Sequence, residues 1–265
     1  NMIFVKGYGQ MCNNILQYAH LYAFGKEHKV TVVSLRFSYK YRFFEICKKW
    51  YHNPLTYILG KLLITFRVIT CIKDGSNIIQ DQQLCKPWII ASAAWHLRYP
   101  DLFLKYRDDI ARIFEIKPTI QAKVNCWMNT HPQADINLGL HIRRGDYIRW
   151  QGGKYFFSDE VYHRIIKDFT ALHPNETINI YICTNDNALN IDGFTAVHPT
   201  TFLSEGSAIE DLQLLASCDY LIGVKSTFSL WASFYRRVPL YWIMDKDVPL
   251  TAQSFVYFDD VFTTV

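Results

Sequence analysis

Short apolar runs alternate along the chain with longer segments whose apolar residues recur at helical spacing. Met2–Val5 is a short apolar run and reads as a buried strand. Gly7-Tyr8-Gly9-Gln10-Met11-Cys12-Asn13 follows as a loop. Over residues 14–28, Ile15, Leu16, Ala19, Leu21, Tyr22 and Phe24 keep one apolar side, which predicts a helix with Gly25 near its end. Asn13 suits the N-cap, where its side-chain oxygen takes a backbone donor. Residues 30–35 are the next strand. Strand, glycine loop, helix, strand is half of a nucleotide-binding unit, and a helix start after glycines can hold a phosphate. The same order also suits a plain βα turn, because Gly-x-Gly lacks the third glycine of a dinucleotide site.

Residues 36–72 break the alternation. Aromatic side chains (Phe37, Tyr39, Tyr41, Phe43, Phe44, Trp50, Tyr51) interleave with Arg36, Lys40, Arg42, Lys48 and Lys49. Asn53-Pro54 then opens a nearly continuous apolar stretch, 55–72, interrupted by Gly60, Lys61, Thr65 and Arg67. The charges and glycine argue against a spanning helix. Two readings remain: an amphipathic segment lying on an anionic membrane, or an insertion packed on the sheet with snorkelling lysines. Residues 74–83 are polar with a turn signal at Asp74-Gly75. Residues 88–94 suit a strand or loop exposing an aromatic rim of Trp88, Trp95 and Tyr99. Helices are predicted over 100–116 and 118–129, and His131-Pro132-Gln133-Ala134-Asp135 reads as a linker. The chain therefore divides into 1–130 and 131–265.

The second part alternates strictly. Strands are predicted at Ile136–Ile142, 177–183, 194–198, 220–224 and 239–244. Helices are predicted from Ser158 to 171, from the capping box Ser207-Ala208-Ile209-Glu210 to 218, and from 227 to 236. Repeated β-then-α order implies a parallel, doubly wound α/β sheet. With 265 residues, half of them hydrophobic, each part can bury a core.

The net charge of +4 suits an anionic ligand or membrane surface and falls short of a nucleic-acid footprint. Seven scattered cysteines without a CxxC read as reduced thiols, and nothing at the start resembles a signal peptide. The expected location is cytoplasmic, with a peripheral position on the inner membrane face as an extension of it.

The candidate chemistry sits at strand ends. Leu138-Gly139-Leu140-His141-Ile142-Arg143-Arg144-Gly145-Asp146 ends an apolar strand in two guanidinium groups, which suit phosphate oxygens. Asp146 is near enough to fix one of them by paired hydrogen bonds. A strand end with a surface ion pair is the plainer alternative. Thr184-Asn185-Asp186 and Ser226-Thr227-Phe228-Ser229 end the neighbouring strands. Arg143 with the Thr227 and Phe228 amides would take a diphosphate. Asp211 would accept the N1–H and N2–H pair of guanine, or else simply favours a helix dipole.

These residues carry a resemblance. His141-Ile142-Arg143-Arg144-Gly145-Asp146-Tyr147 resembles the HxRRxD signature of GDP-fucose-dependent fucosyltransferases, most closely the bacterial α-1,2 family. Asn13-Asn14-Ile15-Leu16-Gln17 resembles that family's first helix start, and Asp211 to Asp219 with Ser226 to Ser229 its C-terminal motif. The resemblance implies a GT-B architecture of two Rossmann-like domains with an interdomain cleft, acceptor on the first domain and GDP-sugar on the second. It implies that Arg143 offsets charge on the leaving GDP and that His141 contacts the nucleotide. It further implies that Asp211 reads guanine, residues 226–228 face the diphosphate or fucose, Asp186 lines the donor site and Asn13 reaches the sugar. The expected catalytic pair is Arg143 and Asp146. The expected donor-side set is Asn13, His141, Arg144, Asn185, Asp186, Asp211, Ser226, Thr227 and Phe228.

The first motif departs from Gly-x-Gly-Asn, since Gln10-Met11-Cys12 precede Asn13. Related α-1,6 enzymes place a glutamate five residues after the signature aspartate, where this chain has Gln151. The general base is therefore unassigned: Asp146 is nearest but open to a tie with Arg144, and Asp159 and Glu160 begin the next helix. Asp245-Lys246-Asp247 matches a metal-binding DxD, yet it follows the last strand and reads as an exposed turn. The implied enzyme is a metal-independent, inverting fucosyltransferase of polysaccharide biosynthesis. It uses GDP-fucose as donor substrate with no cofactor, and an oligosaccharide or lipid-linked glycan as acceptor, with galactose in α-1,2 linkage as the expected target. The alternatives are a GT-B transferase with another nucleotide sugar and a non-catalytic glycan-binding relative.

Overall fold

The computed structural model describes residues 1–75 and 79–265, so part of the polar stretch 74–83 lies outside the described residues. The chain forms two compact units, Asn1–Lys117 and Pro118–Val265. The elements of the first are β1 (Met2–Val5), α1 (Met11–His28), β2 (Thr31–Ser34), α2 (Leu35–Tyr39), α3 (Pro54–Thr65), β3 (Cys71–Ile72), α4 (Asp81–Cys85), β4 (Ile89–Ser92), α5 (Pro100–Lys105) and α6 (Arg107–Ile113). All strands are parallel, in the order β2-β1-β4-β3. β1 connects outward to β2, and the chain then crosses to the far edge at β3 and returns to β4, so β1 and β4 are the paired central strands.

Helix α1 starts earlier than its periodicity suggested. Gln10 is its N-cap residue and Asn13 lies inside the first turn. Asn14 organises the glycine loop instead: its Oδ1 accepts from Tyr8 N at 3.2 Å, and its Nδ2 donates to Gly9 O at 3.1 Å and Gln10 O at 2.7 Å. At the other end Gly25 lets the helix approach β2, since a Cβ there would lie 2.4 Å from Val30 O. The segment predicted as one helix over 100–116 is two, α5 and α6, broken at Tyr106. Trp88 and Trp95 flank opposite ends of β4, and the Tyr99 hydroxyl is buried, so the three do not form one rim.

The second unit contains α7 (Pro118–Asn129), β5 (Ile136–Ile142), α8 (Asp159–Leu172), β6 (Ile178–Thr184), α9 (Ile191–Val197), β7 (Thr201–Leu203), α10 (Ala208–Ala216), β8 (Tyr220–Gly223), α11 (Thr227–Phe234), β9 (Leu240–Trp242) and α12 (Phe258–Val261). Its sheet is parallel, in the order β7-β6-β5-β8-β9. Leu138, Leu140 and Ile142 of β5 are wholly buried at its centre, as expected of a strand covered on both faces.

Two corrections follow. The boundary falls at Lys117/Pro118 rather than near Thr130, because α7 packs on the second sheet. Lys123 Nζ meets Glu210 at 2.8 Å on α10, and the Trp127 ring lies 5.7 Å from Tyr181 on β6. The apparent linker is held there too, as Asn179 Nδ2 donates to Pro132 O at 2.6 Å. Residues 194–198, predicted as a strand, belong to α9, which Asn190 caps through Gly193 N. The third strand is β7, three residues long and too short for its alternation to register.

Candidate active site

In strand order along the second sheet, β5 sits between its two crossovers, so the switch point lies between β5 and β8. Ligands of open α/β sheets bind outside the carboxyl ends of strands at such a point. Register pairs Leu140 with Ile222, which sets His141 beside Gly223 and the residues after 142 beside those after 223. A Cβ on Gly223 would lie 3.2 Å from His141 Cβ, so the two strand ends are in close contact. Tyr147 ties the following loops together by donating its hydroxyl to Lys225 O at 3.2 Å.

Arg143 and Arg144 follow directly after β5 and make separate sets of contacts. The Arg143 side chain is 30% exposed and forks onto Asp146, with Nε to Oδ1 at 3.2 Å and Nη2 to Oδ2 at 3.0 Å. Gly145 makes the reversal possible at φ +68°, a left-handed conformation that a side chain resists. The guanidinium also lies over the Tyr147 ring at 5.4 Å. Both carboxylate oxygens of Asp146 thus serve Arg143, and the tie considered between Asp146 and Arg144 is not made. Arg143 Nη1 has no hydrogen bond among the described residues.

Arg144 is buried, and its donors are taken by the protein. Nε and Nη2 donate to Phe157 O at 3.3 and 3.0 Å, Nη1 to Asp186 at 3.1 Å and Nη2 to Asp159 at 2.6 Å. Arg144 and Asp186, both expected on the donor side, pair with each other, and Asp159 is drawn into the same cluster. The Ala188 N–H, followed by Arg144, keeps the Asp186 carboxyl below the usual range. Asn185 clamps the same corner: Oδ1 accepts from Arg144 N and Nδ2 donates to Arg144 O, each at 2.7 Å. These contacts tie the β5 tip to the end of β6 and the start of α8.

His141 lies beneath that tip with its ring 4.9 Å from Phe228. Burial, and then the Arg143 charge, push its pKa down to about 3, so the imidazole is neutral at working pH. Its Nδ1 is buried without a hydrogen-bond partner. Such orphaned atoms are uncommon, and a water or a bound ligand is what would satisfy this one. Ser226 is the N-cap of α11, its Oγ accepting from Ser229 N at 3.2 Å, and this brings Thr227 and Phe228 to the helix's positive end. Ser229, which Trp242 Nε1 reaches at 2.8 Å, braces the turn from behind.

Asp211 lies in the first turn of α10. Its carboxylate accepts a hydrogen bond from the hydroxyl of Ser204, the residue just after β7. Burial raises its pKa to about 6. Ser204 was absent from the expected set because the strand that places it was misassigned. Asn13, in the first unit, is half-buried in the first turn of α1 and its carbonyl accepts from Gln17 Nε2 at 3.0 Å. Gln151 lies in a left-handed turn at φ 48° on the exposed loop between β5 and α8. Asp245 and Asp247 share an exposed turn in which Asp247 N donates to Asp245 at 2.9 Å. Among the described residues no group of three or more His, Cys, Asp or Glu side chains is placed to hold a metal ion.

The model of glycosyl transferase family 11 matches residues 2–239. No curated protein matches the chain. Among solved structures, a mutant of Arabidopsis thaliana FUT1 in complex with GDP is similar at TM-score 0.62 and 11% identity, covering 97% of this chain and 73% of that one. NodZ alpha-1,6-fucosyltransferase soaked with GDP-fucose gives TM-score 0.60 and 15% identity, with 97% and 98% coverage. POFUT1 in complex with GDP-fucose gives TM-score 0.55 and 10% identity, with 89% and 93% coverage. At these identities the likeness is one of fold.

Proposed function

The chain belongs to glycosyl transferase family 11, and from that premise we propose that it moves fucose from GDP-fucose to a glycan hydroxyl, with inversion and in α-1,2 linkage to galactose. The two units form the two halves of a GT-B enzyme, with the donor on the second. The observation that carries the reading is the Arg143–Asp146 fork at the β5/β8 switch point. Asp146 fixes the guanidinium and leaves Nη1 for a β-phosphate oxygen. As the C1–O bond breaks, GDP leaves with the electron pair while the acceptor oxygen bonds to C1 and loses its proton to a base. Negative charge grows on the diphosphate, where Arg143 and the start of α11 stabilise it. Neutral His141 offers its unpartnered Nδ1 to the nucleotide side.

Asp211 reads guanine in this scheme, and that has a pH signature. Guanine N1–H and N2–H need a carboxylate, not a carboxylic acid. With a pKa of about 6 in the free protein, Asp211 is ionised at pH 7.5 and protonated below 6. GDP affinity is expected to fall about tenfold per pH unit below 6, whereas UDP and CDP bind weakly throughout. The sign for stability is opposite. A carboxyl whose pKa is raised on folding costs stability as pH rises through its folded value. Asp211→Asn is therefore expected to stabilise the free protein at pH 7.5 by about 1–3 kcal/mol while removing the thermal shift with GDP. Thermal melts with GDP, UDP and CDP across pH measure both. No stabilisation by any nucleotide would turn the reading toward a non-catalytic glycan binder.

The acceptor belongs on the first unit in this reading, beyond the carboxyl ends of its two central strands. Tyr8 follows β1 and Trp95 follows β4, with ring centroids 6.1 Å apart at 60°. Tyr8 is 63% exposed. Arg98 stacks on Trp95 at 4.5 Å and stiffens it. An aromatic face of this kind takes the apolar face of a sugar ring. Trp95→Ala is expected to raise the acceptor KM about tenfold without altering the GDP thermal shift, as steady-state kinetics at saturating donor would measure.

A further inference from the structure

Helix α3 is apolar over most of its surface, and only one side of it is covered. Asn53 caps it through Thr56 N, and Pro54 sets its first turn. Gly60 meets Leu35, and Tyr57, Leu63 and Ile64 pack on Phe4, Val33, Leu35 and Ala91. The opposite side presents Leu55, Ile58, Leu59, Leu62 and Phe66, which are 77, 51, 55, 47 and 72% exposed. Their spacing is that of a single helical stripe. Trp50, 81% exposed, precedes it, and Val68, 68% exposed, follows it. A contiguous exposed stripe of this kind marks an interaction surface.

Charge selects the occupant. Residues 36–73 contain eight Lys and Arg and a single acid, Glu45, a balance of +7 against +4 for the whole chain, so the remaining residues sum to −3. Lys40, Lys49, Lys61, Arg67 and Lys73 are exposed, and so is Lys48, which pairs with Glu45 at 2.8 Å. A second copy meeting this face isologously would set cations against cations. An anionic bilayer offers the opposite sign together with an apolar layer. We propose that α3 lies flat in the headgroup region of an anionic membrane, with the Leu55–Phe66 stripe inserted and the surrounding Lys and Arg on lipid phosphates. Trp50 and Tyr39 have the interfacial aromatic chemistry that suits this depth. Among the described residues no helix is long and apolar enough to cross a membrane, and α3 is proposed to lie along the surface rather than through it. The uncovered stripe, rather than the donor-site assignment, supports this proposal.

The test is co-sedimentation of the full chain with phosphatidylcholine vesicles and with vesicles that also contain phosphatidylglycerol. Binding is expected only to the anionic vesicles, and it should weaken as salt rises. Leu59→Glu with Leu62→Glu should abolish it. Lys49→Glu, Lys61→Glu and Arg67→Glu should each lower it by at least fivefold. Thermal melts check that these surface variants stay folded. No binding to anionic vesicles overturns the proposal, as does binding unchanged by the leucine variants. Self-association lost on Leu62→Glu in sedimentation velocity, without vesicle binding, overturns it in favour of a protein partner.

Discussion

Arg143→Ala is expected to lower the rate of fucosyl transfer by about 10²–10³-fold while the protein keeps its unfolding midpoint. The side chain is partly exposed and its one ionic partner, Asp146, is more exposed still, so removing the pair strands no buried charge. Exposed pairs contribute about 0–1 kcal/mol to folding. The loss should therefore fall on the transition state, where a fixed guanidinium meets charge building on the diphosphate. Asp146→Asn should show a smaller loss in kcat, because it keeps a hydrogen-bond acceptor for Arg143 but not the fork. Arg143→Lys keeps the charge without the planar geometry and should not restore full activity. Kinetics with GDP-fucose, beside a urea melt of each variant, make the comparison. An Arg143→Ala enzyme with near-normal turnover would remove the donor phosphate from the β5 tip.

The β5 tip was legible because a buried central strand has a strong signature. Ile136–Ile142 is apolar throughout, and the polar run behind it marks where the sheet ends. The capping box at Ser207 likewise announced α10, with Glu210 accepting from Ser207 N at 3.0 Å. β7 was not legible, because three edge residues carry no alternation, and Ser204 went unseen with it. Nor could the sequence distinguish the two arginines. Both follow directly after β5, so which guanidinium faces out depends on the partners that the assembled unit supplies. The boundary at Lys117 was hidden for a related reason. Pro118 reads equally as the start of a helix in either unit, and only packing against α10 assigns it.

Arg144→Ala is expected to act in the opposite way and destabilise the second unit by about 3–5 kcal/mol, much of the 5–15 kcal/mol available to a typical protein. Its side chain is 10% exposed, and those of Asp159 and Asp186 are 26% and 22% exposed. Removing the guanidinium leaves both carboxylates without their cation, and Phe157 O without its donors. The damage should be local as well as global. Arg144 joins the β5 tip to the start of α8 and the end of β6, so the loop carrying Tyr147 and Trp150 should lose its anchor. Hydrogen exchange over residues 147–157 should rise before the rest of the sheet opens. Activity should fall too, but with a lowered urea midpoint, which Arg143→Ala lacks. Arg144→Lys keeps a charge near the two aspartates yet cannot reach Phe157 O, Asp159 and Asp186 at once, so it should recover only part of the stability. If Arg144→Ala instead kept its midpoint and lost only GDP affinity, Arg144 would be a donor contact, and the division of labour between the two arginines would be reversed.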